Sequence, residues 1–178
     1  MEFTKKLWRM KKLIILLFPL FVSGQNVSFS AGVDVRNAVI GSKPTQNKPE
    51  VDYLLGFNMI SFNRFDVGIF YENFNRIAFT RYGCSVGYQL PITEKLIVTP
   101  SVEFSLINRG EVEQEFCGNG GFMSYGLNCK LQYEILDNFC IGLKGNYIKR
   151  NDLSYLYGGT NLLLSGYLEL TYKINLIK

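Results

Sequence analysis

The chain has 178 residues, no histidine and a formal net charge of +4. The basic excess lies in the first 24 residues, where Lys5, Lys6, Arg9, Lys11 and Lys12 are set against Glu2 alone; the other 154 residues carry 14 basic and 14 acidic side chains. A balanced chain of that length fits one domain and offers no argument for nucleic-acid binding, and the missing imidazole removes the commonest general base and metal ligand.

Lys11 and Lys12 precede the apolar run Leu13 to Val22, and Ser23, Gly24 and Gln25 follow it. A basic start, an apolar run of roughly 7–15 residues and small residues at the cut describe a secretory signal peptide. Residues 1–24 are therefore expected to be the signal and 25–178 the mature domain. The run is too short for the roughly 20 residues of a spanning helix.

From residue 27 onward apolar residues recur with period two, the strand signature. In the first predicted strand, 27–36, Val27, Phe29, Ala31, Val33 and Val35 share one face, opposite Ser28, Ser30, Gly32, Asp34 and Arg36. A long loop over 37–50, marked by Gly41, Pro44 and Pro49, leads to strand 51–62, with Tyr53, Leu55, Phe57 and Met59 on its apolar face. After a tight turn, strand 65–72 sets Phe65, Val67, Ile69 and Tyr71 outward. A modest loop near 73–79 precedes strand four, where Tyr82, Cys84, Val86, Tyr88 and Leu90 alternate with Arg81, Gly83, Ser85, Gly87 and Gln89. The remaining predicted strands are 96–106, 122–135, 139–148 and 162–174. They are separated by a long loop (107–121), a short turn and another long loop (149–160). Pro100 sits mid-strand and cannot donate to the ladder, so a bulge or a missing hydrogen bond is expected there.

Two signals orient the faces. Tyr53, Tyr71, Tyr82, Tyr88, Tyr125, Tyr133, Tyr147 and Tyr172 lie on the apolar face near strand ends; an apolar ring with a wet hydroxyl belongs where hydrocarbon meets water. Gly32, Gly56, Gly68, Gly83, Gly87, Gly126 and Gly142 fall on the polar face, against Gly145 and Gly166 on the apolar one. The inside of an eight-stranded barrel barely holds side chains, so the glycine-rich polar face is predicted to be the lumen. The expected fold is all-β, an eight-stranded antiparallel up-and-down transmembrane β-barrel. Asp34, Asp52, Glu72, Arg81, Glu103, Lys130, Lys144 and Glu169 then share the interior and must pair. Counting from each hairpin sets Glu72 beside Arg81, Glu103 beside Lys130 and Lys144 beside Glu169. This predicts a plug rather than an open pore.

Signal, loop asymmetry and tyrosine belts together resemble the small eight-stranded outer-membrane barrels of Gram-negative bacteria, the OmpA- and OmpX-like class. The resemblance spans residues 27–174 and is architectural. The terminal strand Leu168-Glu169-Leu170-Thr171-Tyr172 is similar to those read by the outer-membrane assembly machinery, although the chain ends Asn175-Leu176-Ile177-Lys178 rather than on an aromatic residue. The resemblance implies a monomer in the cell outer membrane, with lipids and the assembly machinery as partners, long loops outside and both termini in the periplasm. A peptidoglycan-binding domain after residue 174 is not expected.

No catalytic, cofactor-binding or metal site is expected. The outer-membrane barrel enzymes in that class rely on His, which this chain lacks. Among the cysteines, Cys84 and Cys129 read as apolar fillers on the lipid face, Cys140 as inward near a turn and Cys117 as a loop residue. Glu111, Glu113 and Glu115 line one side of an extended loop and read as a solvated acidic stretch. The leading expectation is a non-enzymatic barrel with an envelope-structural or surface-binding role through loops 37–50, 107–121 and 149–160, its ligand unspecified. The alternatives are a small-molecule channel or lipocalin-like carrier, and a His-free lipid-modifying enzyme.

Overall fold

The computed structural model describes residues 24–35, 51–61, 64–74, 78–109, 121–153 and 162–175. The expected signal segment, most of the three long loops, Arg36, Cys117 and the acidic stretch at 111–115 lie outside the described residues. Eight strands follow one another: β1 (Gly24–Asp34), β2 (Tyr53–Ser61), β3 (Phe65–Phe74), β4 (Phe79–Tyr88, continued past Gln89 by Leu90–Pro91), β5 (Leu96–Arg109), β6 (Phe122–Leu136), β7 (Phe139–Arg150) and β8 (Leu162–Asn175). Each pairs antiparallel with its neighbours in sequence, and β1 pairs with β8, so the sheet closes without an edge.

The strands reach further than the alternation of apolar residues suggests. β3 and β4 extend to a Phe74–Phe79 pair, which takes Asn73, Phe74 and Phe79 from the expected loop at 73–79. β5 continues to Arg109, β7 to Arg150 and β8 to Asn175. The reason is physical. Past the tyrosine belt the outward side chains no longer meet lipid, so the apolar–polar rhythm fades while the hydrogen-bonded ladder runs on.

Cross-strand register fixes how the barrel is sheared. From Phe29 the partners run Phe57, Ile69, Cys84, Phe104, Tyr125, Lys149 and Leu162. Leu162 lies five residues before Tyr167, whose β1 partner Asp34 lies five residues beyond Phe29. One circuit therefore advances the chain by ten residues, which for eight strands corresponds to a tilt of about 40°. Residues at one height of the lumen thus come from different positions along their hairpins.

The polarity is inside-out relative to a soluble protein. Leu55, Val67, Ile69, Phe104, Leu127, Leu143, Leu164 and Leu170 are exposed on the outer wall, while Asp34, Asp52, Glu72, Arg81, Glu103, Lys130, Lys144 and Glu169 are all buried inside. Seven of the eight belt tyrosines are exposed large side chains; Tyr53 is partly covered and stacks at 6.3 Å on Tyr71. Tyr88, Tyr133 and Tyr172 ring the end carrying the short turns, with Phe65 and Phe139 packed on Tyr88 and Tyr172 at 5.4 and 4.8 Å. Tyr53, Tyr71, Tyr82, Tyr125 and Tyr147 ring the end carrying the long loops.

Pro100 is accommodated without a bulge. Pairing between β4 and β5 stops at Gly87–Ser101 and resumes at Leu90–Val98 in the same register, so the lapse lies beside Pro100. On its other side Pro100 stays opposite Cys129 in an unbroken ladder.

The glycines measure lumen crowding directly. A Cβ on Gly126 would sit 2.5 Å from the Tyr147 carbonyl oxygen, and one on Gly87 2.8 Å from that of Pro100. A Cβ on Gly145 or Gly166 would meet nothing within 4 Å. Gly126→Val should therefore destabilise the barrel by about 2 kcal/mol or more. Gly145→Val, on the open lipid face where β-branched residues suit a strand, should cost less than about 0.5 kcal/mol. Urea unfolding in lipid vesicles measures both; similar losses for the two would contradict the assignment of faces.

Candidate functional site

The lumen holds the charged chemistry of this chain, and at its waist five strands contribute one connected group. Glu72 on β3 and Arg81 on β4 are direct cross-strand partners. Arg81 Nε meets Glu72 Oε2 at 2.5 Å, and its Nη1 meets Glu103 Oε2 of β5 at 3.2 Å. Lys144 of β7 reaches the other oxygen of Glu103 at 2.7 Å. The Tyr167 hydroxyl of β8 donates to Glu72 Oε1 at 2.6 Å. Phe70 fills the middle, with the Arg81 guanidinium 4.8 Å and the Lys144 ammonium 5.4 Å from its ring centre. Two acids and two bases balance, and each cation also faces an aromatic ring.

The sequence reading sets Glu72 beside Arg81, and the structure brings these two together. It pairs the others differently. Lys144 crosses to Glu103, two strands away, rather than to Glu169; Lys130 makes no ion pair among the described residues, and Glu169 Oε2 accepts no hydrogen bond there. Counting along a hairpin considers only adjacent strands at one level. In a tilted barrel this narrow, long side chains reach non-neighbouring strands. Asp66, Phe70 and Tyr167 also point inward; the signal for them is parity, Asp66 and Phe70 sharing that of Glu72 and Tyr167 that of Glu169.

A second cluster closes the loop end. Asp152, in a helical turn just past β7, accepts from Arg109 Nε at 2.9 Å and from Arg150 Nε at 2.8 Å. Both guanidiniums lie over Phe79, at 5.5 and 4.3 Å from its centre. Beneath them Phe74, Phe79 and Ile107 pack together, with Phe122 against them. Burial disfavours the Asp152 carboxylate. The hydrogen bond and charge of Arg150, joined by Arg109, outweigh that and hold its pKa below the usual aspartate range. The sequence pattern places Arg109, Arg150 and Asp152 in the loops 107–121 and 149–160, because nothing in their spacing marks them as lumen residues. The turn end is filled by Gln132 bonded to Thr171 at 3.0 Å and by Lys173 paired with Glu134 at 2.9 Å.

Between these layers lies a small cavity of about 20 Å³, roughly the space of one water molecule. Among the described residues no cluster of His, Cys, Asp and Glu has the arrangement of a metal site. Cys84 and Cys129 are exposed on the lipid-facing wall, and Cys140 is buried inside near the turn end.

The fold has solved counterparts. The outer membrane protein Ail of Yersinia pestis, in a phospholipid bilayer nanodisc, is similar with a TM-score of 0.54 at 17% identity, over 84% of this chain and 99% of that one. The de novo designed barrel TMB2.3 is similar with a TM-score of 0.53 at 13% identity, over 85% and 94%. A second designed transmembrane β-barrel gives 0.50 at 13%, over 85% and 97%. No family model and no curated protein matches the chain. Closed eight-strand topology, apolar wall and aromatic belts define a small transmembrane β-barrel of the outer-membrane type.

Removing one partner from the waist leaves a buried charge uncompensated. Arg81→Met should cost about 3–5 kcal/mol, read from urea unfolding in vesicles; a loss under about 1 kcal/mol would show the network to be dispensable. For Asp152 the folded pKa lies below the unfolded one. Its contribution is thus complete at neutral pH and is lost as pH falls from the ordinary aspartate range through the folded value. Asp152→Asn should lower stability at pH 7 and flatten the acid side of the stability profile between pH 5 and pH 2, roughly the window in which such carboxylates titrate.

Proposed function

We infer that this protein is a non-enzymatic outer-membrane barrel that carries its three long loops at the cell surface, for envelope structure or for binding a surface ligand. The observation that carries this reading is the filled lumen. The waist network around Phe70 and the Arg109–Asp152–Arg150 cap over Phe79 set buried, paired side chains across the bore at two levels. A plugged barrel makes a poor channel, and the cavity of about 20 Å³ between the layers is too small for a carried apolar molecule. The acids and bases of the waist are committed to one another in ion pairs, which argues against their doing chemistry on a lipid substrate. What is left to act is the surface. β5 and β7 run on to Arg109 and Arg150, and two of the long loops depart from their ends. A rigid scaffold with variable loops is the usual division of labour in binding proteins.

The test uses a deletion strain and three measurements. Purified protein in planar bilayers should give no steady conductance, and lipid A from the deletion strain should have an unchanged mass spectrum. Complementation with a barrel whose residues 110–120 and 154–161 are replaced by short Gly-Ser turns should restore detergent resistance if the role is structural, and fail to restore surface binding if the loops carry the ligand. Stable conductance steps or altered lipid A would overturn the reading in favour of a channel or an enzyme.

A further inference from the structure

A small cavity in the lumen has an unusual wall. Thr99, Asn128, Lys130 and Glu169 all line it, and each is more than nine-tenths buried. Thr99 Oγ1, Asn128 Nδ2 and Glu169 Oε2 have no hydrogen-bond partner. Asn128 Oδ1 is already taken by Ser101, so its amide nitrogen is the group left over. Lys144 also borders the space, but its ammonium is held by Glu103. That leaves Lys130 as a cation and Glu169 as an anion on one small chamber, without direct contact to each other.

We propose that this chamber is a built site for ordered water, in which water bridges the Lys130 ammonium to the Glu169 carboxylate and satisfies Thr99 and Asn128. The chemistry of the wall selects the ligand. A bare anion would face Glu169 and Asp66; a bare cation would face Lys130 and Lys144. Water donates and accepts, and a buried water typically makes about three hydrogen bonds, which suits two donors, an acceptor and a hydroxyl that can do either. The volume admits roughly one molecule. Two buried charges that would each be costly alone become a solvent-separated pair. The site belongs to the lumen and stands whatever the loops bind.

The test uses the mature protein in nanodiscs. Isotope-labelled samples should show a cross-peak of slow-tumbling sign between water and the Asn128 side-chain amide. Lys130→Met and Glu169→Gln should each lower the folding equilibrium constant at least tenfold. The double variant should lose at least tenfold less than the two single losses combined. Where Lys130→Met does not insert, as judged by heat-modifiable gel mobility, Lys130→Gln replaces it in the same cycle. Additive losses together with no water cross-peak would overturn the proposal. So would bromide in the chamber, detected by anomalous scattering from bromide-soaked crystals, since that would make it an anion site.

Discussion

Width is the constraint on which this structure depends. Eight strands enclose a cross-section that side chains fill by themselves, and this protein has put charge there. Charge in a narrow, low-dielectric space must be compensated within a few ångströms, and the waist meets that demand with Arg81 shared by two glutamates and Glu103 shared by two cations. The same narrowness dictates the glycines. Gly83, Gly87 and Gly126 lie where a neighbouring strand's backbone or side chain passes too close for a Cβ, whereas Gly145 and Gly166 face open lipid.

Inside and outside are held together by different forces. The wall gains little from contact with its own side chains; its apolar residues are stable because acyl chains surround them, and its backbone is stable because closure leaves no unpaired edge. The lumen is organised by electrostatics and hydrogen bonds in three layers. Gln132–Thr171 and Lys173–Glu134 fill the turn end, the Phe70-centred network the waist, and the Arg109–Asp152–Arg150 cap the loop end. Aromatic rings recur as the partners of cations. Phe70 and Phe79 each take two positive groups, so they fill volume that a smaller residue would leave to water while adding to the balance of charge.

That layering bears on what the molecule does. Energy concentrated in a sealed interior makes a rigid frame, and rigidity is of use to a surface that must present loops in fixed relation to one another. Asp152 links the ends of β5 and β7, the two strands from which the loops at 110–120 and 154–161 depart. The cap is therefore both the upper seal of the lumen and the footing of two loops.

The chain's pattern by itself determined the architecture. Period-two alternation, belt tyrosines and the parity of the glycines specify eight strands and which face meets lipid, because both faces of a strand are read by opposite solvents and each leaves a compositional mark. It determined the Glu72–Arg81 contact for the same reason: direct cross-strand neighbours follow from counting along a hairpin. The tertiary structure alone decided the rest of the lumen. That Lys144 meets Glu103, that Lys130 and Glu169 face a shared chamber, and that Arg109, Arg150 and Asp152 form a cap all depend on a ten-residue shear and on reach across the bore. Those are properties of the closed sheet, and no local spacing encodes them.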